Sequence, residues 1–238
     1  MPIRPLLASL LLSGCALLPH ESATDVLLLG EQHDAVAHPA LQEERVTRLA
    51  RAGRLRAVAL EMADRGTTTA GLPPGASEAQ VREALGWNTD GGWPWERYAP
   101  AIMAAVRAGV PVAGANLPRA QMRQAMGDTS LDTLLPGPAQ KAQQQAIRKG
   151  HCDMLPEGQV TPMTRVQVAR DVAMAQTLAA LARSDGTVVL IAGAGHVDPE
   201  LGVPRHLPRA LRVKPEVLPP EDTGKDYCAE FRRQMQRR

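Results

Sequence analysis

The stretch Val26-Leu27-Leu28-Leu29-Gly30-Glu31-Gln32-His33 is an unbroken apolar run that stops at a glycine and passes into three polar side chains. Apolar residues without alternation fit a strand covered on both faces, as in a parallel sheet. Three further runs share this character: Ala57–Met62, Val110–Gly114 and Thr187–Ala192. Helical stretches lie between them, so the order of elements predicts the α/β class, with a mainly parallel sheet flanked by helices.

The intervening segments fill in that frame. Pro39–Ala52 places Glu43, Glu44, Arg45, Arg48 and Arg51 on a solvent face. Short helices are expected near Ser77–Leu85 and over Trp95–Ala108. Residues 119–150 read as helical, with a break at Pro136-Gly137-Pro138. The longest helix is expected over Pro162–Ser184, capped by Thr161 and stopped by Gly186. Its apolar face would be Val168, Val172, Ala175, Ala179 and Ala182. Residues 66–160 are expected to form a mostly helical cap inserted between strands of a single domain spanning 25–238.

Ligands of open α/β sheets bind beyond the carboxyl ends of the strands. The four runs end at Glu31 and His33, at Glu61, near Asn116, and at Gly193-Ala194-Gly195-His196. One convergent polar pocket is therefore expected. Glu31, His33, Glu61 and His196 are candidate catalytic residues or ligands for a divalent metal such as zinc or manganese. Each also has a plainer reading, as a capping partner, a solvated strand-end charge or a structural histidine. The glycines at 193 and 195 lack the third glycine of a dinucleotide fingerprint. No Gly-x-Ser-x-Gly elbow and no zinc-protease helix motif is present.

The chain has only six aromatic residues, and Trp87, Trp93, Trp95 and Tyr98 crowd together. Such clustering suits a flat apolar surface for a planar ligand, or a small local core. A phenolate can ligate ferric haem. Tyr98 is thus a candidate iron ligand, with Trp95 beside it and Arg97, Arg119 and Arg123 available to propionates.

The N-terminus reads as a secretory signal, residues 1–14, with an apolar run from Leu6 to Leu12 too short to span a bilayer. Leu12-Ser13-Gly14-Cys15 resembles the lipobox, which would make Cys15 the lipidated first residue of the mature chain, followed by a short linker (15–24). Ala16 in place of Asp resembles outer-membrane sorting. Export permits a disulfide between the two remaining cysteines, Cys152 and Cys228; metal ligation by Cys152 beside His151 is the alternative. The formal charge of +2 on 238 residues gives no reason to expect nucleic acid as a partner. Four arginines near the C-terminus (232, 233, 237 and 238) read as a solvated helix end, with contact to anionic lipid as the lesser alternative.

Several motifs together resemble the ChaN-like family of haem-binding lipoproteins. They are Leu29-Gly30-Glu31-Gln32-His33, Ala59-Leu60-Glu61-Met62, Trp95-Glu96-Arg97-Tyr98-Ala99-Pro100, Ala115-Asn116, His151-Cys152-Asp153-Met154-Leu155-Pro156, Gly193-Ala194-Gly195-His196 and Gly202-Val203-Pro204. Paired Gly-x-x-His motifs and a strand-end Glu are shared with the wider Tiki and TraB superfamily, which also looks related to erythromycin-esterase-like hydrolases. The resemblance implies an outer-membrane lipoprotein that binds haem for iron uptake, with a tyrosine on iron and haems stacked between two protomers. Tyr98 and Tyr227 are the only tyrosines that could serve. Tiki-like relatives imply the alternative, a metal-dependent hydrolase using the Glu/His pocket.

Overall fold

A computed structural model of the chain describes residues 24–87, 92–182 and 185–236. The expected signal peptide, Cys15 and most of the linker lie outside the described residues, as do Ser184, Arg237 and Arg238.

The strand β1 (Val26–Glu31) is an interior strand of a sheet completed by β2 (Leu55–Asp64), β3 (Val112–Asn116), β4 (Thr187–Gly193) and β5 (Val213–Val217). Their order across the sheet is β3-β2-β4-β1-β5, and every pairing is parallel. The chain is therefore α/β, as the apolar runs imply. All six residues of β1 are buried. Leu27 and Leu29 join one core with Val58, Leu60, Val189 and Ile191, whereas Val26 and Leu28 join the opposite core with Val188 and Leu190. This is the period-two alternation of a strand buried on both sides.

Helices α1 (His38–Arg51) and α3 (Trp95–Arg107) cover the first face, contributing Val46, Ile102 and Val106. The long helix α6 (Glu157–Leu181) covers the second, through Met174, Ala175 and Leu178. A short helix α2 (Glu78–Ala84) starts at a capping box in which Ser77 and Gln80 exchange hydrogen bonds. Helices α4 (Arg119–Gly127) and α5 (Gly137–Gly150) pack outside α6, and α7 (Tyr227–Gln236) ends the described chain.

Several expectations need correction. The segment 66–160 is not one cap, because it contributes β3 to the sheet and α3 to a face of it, leaving α4 and α5 as an outer layer over α6. Helix α6 begins at Glu157 rather than Pro162; Pro156 occupies the cap position, and Pro162 lies inside the helix. Its buried residues also exceed one stripe, since Val166 and Ala169 pack towards α4 while Met174 and Leu178 pack on the sheet. Strand β5, Val-Lys-Pro-Glu-Val, went unpredicted. It is an edge strand with Pro215 opposite Leu28, a position where a missing N–H is tolerated.

Candidate functional site

Parallel strands deliver all their carboxyl ends to one rim, and an open cleft of about 840 Å³ lies there. That is within the roughly 300–1,000 Å³ usual for small-ligand pockets. Glu31, His33, Glu61 and His196 all line it, together with Gln167 and Arg170 from α6. The convergence expected from the strand ends is thus present.

Glu31 is 2% exposed and its carboxylate is fully engaged. One oxygen accepts from the Tyr98 hydroxyl (2.7 Å) and from His33 Nδ1 (2.8 Å), and the other accepts from the Gln42 amide. His33 is thereby oriented with its other nitrogen, Nε2, beside Gly193; a Cβ on Gly193 would lie 2.8 Å from that atom. Only glycine lets the imidazole lie so close to β4.

Glu61 sits where β2 shifts register against β3, between Leu60 and Asp64. It accepts from the backbone N–H of Gly193 (2.6 Å) and is paired with Arg170 and His196. Burial opposes its charge, but the cations of His196 and Arg170 prevail and hold the carboxyl well below its ordinary range. His196 in turn binds Asp171 through Nδ1 at 2.5 Å. Burial alone would lower the imidazole pKa; Glu61 and Asp171 overcome it and raise it to about 9. Asp171 is itself pushed up by burial, against the pull of His196. Arg170 completes the network by donating from Nε to Asn116 Oδ1 (3.0 Å).

This network accounts for the absence of the expected metal site. Among the described residues, no group of three or more His, Cys, Asp or Glu side chains is placed to hold a metal ion. The two carboxylates spend their lone pairs on Tyr98, Gln42, His33, Arg170, His196 and a backbone amide. A cation would have to displace those donors and sit beside the Arg170 guanidinium.

Of the two readings of the aromatic cluster, the structure shows the small local core. Tyr98 is 1% exposed and Trp95 3%. Trp87 stacks edge-on against Trp95 (5.1 Å) and tilts over Tyr98 (5.7 Å). The four rings form a local core rather than an open face. Burial, and then the Glu31 carboxylate, push the Tyr98 phenol far above its ordinary pKa. With its hydroxyl donated to Glu31, Tyr98 presents no oxygen to iron. Trp95 Nε1 donates to Glu78 (2.7 Å), and Arg97 donates to the carbonyl of Ala35 (2.8 Å). Arg119 is exposed at the start of α4 and takes no part in lining the cleft. The expected haem contacts Tyr98, Trp95, Arg97 and Arg119 therefore do not form one surface.

The chain's other tyrosine does reach the cleft. After β5 the tail returns across the rim, where Gln32 and Glu221 exchange backbone–side-chain hydrogen bonds. Tyr227 is 50% exposed; its hydroxyl bonds Asp34 (3.0 Å) and Thr223 (2.7 Å). Lys225 pairs with Asp34 at 2.9 Å and is the main reason that carboxyl falls to about 2. Cys228, next to Tyr227, is disulfide-bonded to Cys152 in the turn between α5 and α6.

A family model described as haem-binding uptake, Tiki superfamily, ChaN matches residues 17–207. The chain belongs to the ChaN family. Among solved structures, one described as cofacial haem binding to ChaN of Campylobacter jejuni superposes with a TM-score of 0.68 at 22% identity, covering 84% of this chain and 83% of that one. That likeness shows a shared fold. The type III effector HopBA1 aligns over 72% of this chain and 67% of its own, with a TM-score of 0.39 and 21% identity. No curated protein matched. The family match ends before β5 and the tail, so Tyr227 and the disulfide partner Cys228 lie beyond it.

Sequence reasoning found the four strand-end residues but missed Gln42, Gln167, Arg170 and Asp171. These lie on helices, where a polar residue looks like a solvated position until the helix is docked. The pairing of Arg170 with Glu61, across 109 positions, leaves no local signal.

Proposed function

We propose that this chain binds haem at the rim of the strand-end cleft, with the Tyr227 phenolate on the iron, as an exported lipoprotein serving haem uptake. The family's description as haem-binding uptake and the haem bound by the Campylobacter protein support the ligand class. The observation that carries the site is the contrast between the two tyrosines. Tyr98 is sealed beneath the cleft, whereas Tyr227 is half exposed at its edge.

The surroundings suit a porphyrin. Val36 is 83% exposed, and its amide binds the same tail, at Glu221 (2.7 Å), giving the rim an apolar element for the flat face of the ring. Arg170 and Lys225 line the cleft as cations for propionates. Asp34 accepts a hydrogen bond from the Tyr227 hydroxyl and so holds the phenol at the edge of the cleft. A haem held on one face leaves the other exposed, and a second haem-bearing copy would cover it. Lipidation at Cys15 and placement in the outer membrane complete the reading; the Cys152–Cys228 disulfide supports an oxidising compartment.

Hemin titration of the purified chain tests the site. The expected result is a Soret shift that Tyr227→Phe abolishes or weakens at least about tenfold, while Tyr98→Phe retains it. An unchanged spectrum and affinity in Tyr227→Phe would overturn the assignment. Size-exclusion chromatography with and without hemin reads the dimer.

A further inference from the structure

The opposite end of the sheet carries a second feature. Because all strands are parallel, their first residues gather at the end remote from the cleft. A groove of about 490 Å³ opens there, lined by Thr24, Arg45, Arg48, Arg54, Lys214 and Glu216. Outside the groove but at the same end of the sheet, Arg51 ends α1, Arg56 lies near the start of β2, and Arg107 ends α3, which leads into the start of β3; all three are exposed.

The acids at this end are mostly committed. Glu44 and Glu216 pair with Arg45, Glu44 also pairs with Arg48, and Asp25 pairs with Arg212. Arg51, Arg54, Arg56, Arg107 and Lys214 have no ion-pair partner among the described residues, against Glu43 and Asp185 as unpaired acids. Arginines in the last turns of α1 and α3 answer the helix dipoles. Arg54, Arg56 and Lys214 lie on strands or a loop and have no such role.

We infer that this basic end of the sheet rests on an anionic phospholipid surface, holding the cleft away from the membrane. The position of the chain's exit favours a membrane over other anionic partners. Thr24 lines the groove, and Cys15 is nine residues earlier. Nine residues span at most about 30 Å, so an anchor at Cys15 keeps this end near the headgroups. The inference rests on the lipid-anchor reading for that proximity. Basic side chains near a bilayer are drawn to anionic lipid within about a Debye length.

The test uses the full chain carrying Cys15→Ser, so that acyl chains do not dominate. Its binding to phosphatidylcholine vesicles is compared with binding to vesicles containing 30% phosphatidylglycerol, an arbitrary working fraction of about one lipid in three. In that background, Arg51, Arg54, Arg56 and Lys214 are changed together to Gln. A control variant loses Arg123, Lys141, Lys149 and Arg232, which are exposed elsewhere. The expected result is a preference for anionic vesicles that falls by more than about tenfold in the first variant only, and that disappears in high salt. Equal losses in the two variants, or no preference in the parent chain, would overturn it. Circular dichroism of both variants guards against unfolding, and a single Arg56→Gln change, expected to weaken binding a few-fold, serves if the quadruple variant misfolds. Fractionation of cells expressing Cys15→Ser reads the anchor separately. Loss of the anchor reading with vesicle selectivity intact supports a peripheral contact; an intact anchor without selectivity overturns the basic face.

Discussion

Glu61 is a carboxylate that burial would neutralise were it not for Arg170 and His196. The network is consequently worth most when one cation is removed, because the buried carboxylate then keeps only part of its compensation. Arg170→Met is expected to destabilise the fold by about 3–5 kcal/mol, measurable by urea denaturation at neutral pH. His196 gives the same network a pH signature. Its folded pKa of about 9 lies above the ordinary 6.5, so the folded state holds a proton that the unfolded state releases first. Stability from this group is complete below pH 6.5 and is lost as pH rises to about 9. Thermal melts across that window should fall, and His196→Gln should flatten the decline. A melting temperature indifferent to pH in the parent protein would mean that the imidazole is not charged in place.

At the scale of elements, α1 shows how the tail holds the rim. The helix has no side-chain cap of its own, with Ala37 at the cap position. The carboxylate of Glu221 accepts from the N–H groups of Val36 and Ala37 instead, at 2.7 and 2.8 Å. Glu221→Ala should lower stability by about 0.5–2 kcal/mol, the range of a lost N-terminal cap, and calorimetry would register it as a lower Tm. This contact also marks where the sequence stops being readable. Strands β1 to β4 are legible because both faces are buried and their apolar runs are continuous. Strand β5 is not, because an exposed edge accepts Lys214, Pro215 and Glu216. The strand-end acids and histidines are legible because parallel topology alone sends them to one rim. The partners that set their charge are not, since Arg170 and Asp171 look like any polar residues of an amphipathic helix. Tyr98 was legible as unusual and misread in role: clustering cannot distinguish an open aromatic face from a sealed one.

Across the whole molecule, the disulfide ties the tail to the turn that follows α5, where the rings of Phe231 and His151 also meet edge-on at 5.9 Å. Cys228 lies on the tail that crosses the cleft rim, and Cys152 lies on the turn between α5 and α6, 76 residues away in sequence. Cys152 and Asp153 both adopt left-handed backbone, with φ of 56° and 55°, a conformation that non-glycine side chains resist. The turn that presents the sulfur is therefore set by its surroundings: the amides of Cys152 and Asp153 bond back to Lys149 and Arg148 at the end of α5. Tyr227, one residue from Cys228, inherits its position from this bond and from Asp34. Replacing both cysteines by serine should thus act on two observables at once. Global stability should fall by about 2–5 kcal/mol, as expected for removing a bridge that closes a loop of this length. Hemin affinity should fall as well, because the phenol must then be ordered on binding rather than beforehand. Tyr227→Phe combined with the serine pair separates the two effects. If the bridge acts on haem only through Tyr227, the triple variant binds hemin no more weakly than Tyr227→Phe alone. A further drop in the triple variant would instead assign the bridge a role in shaping the cleft itself.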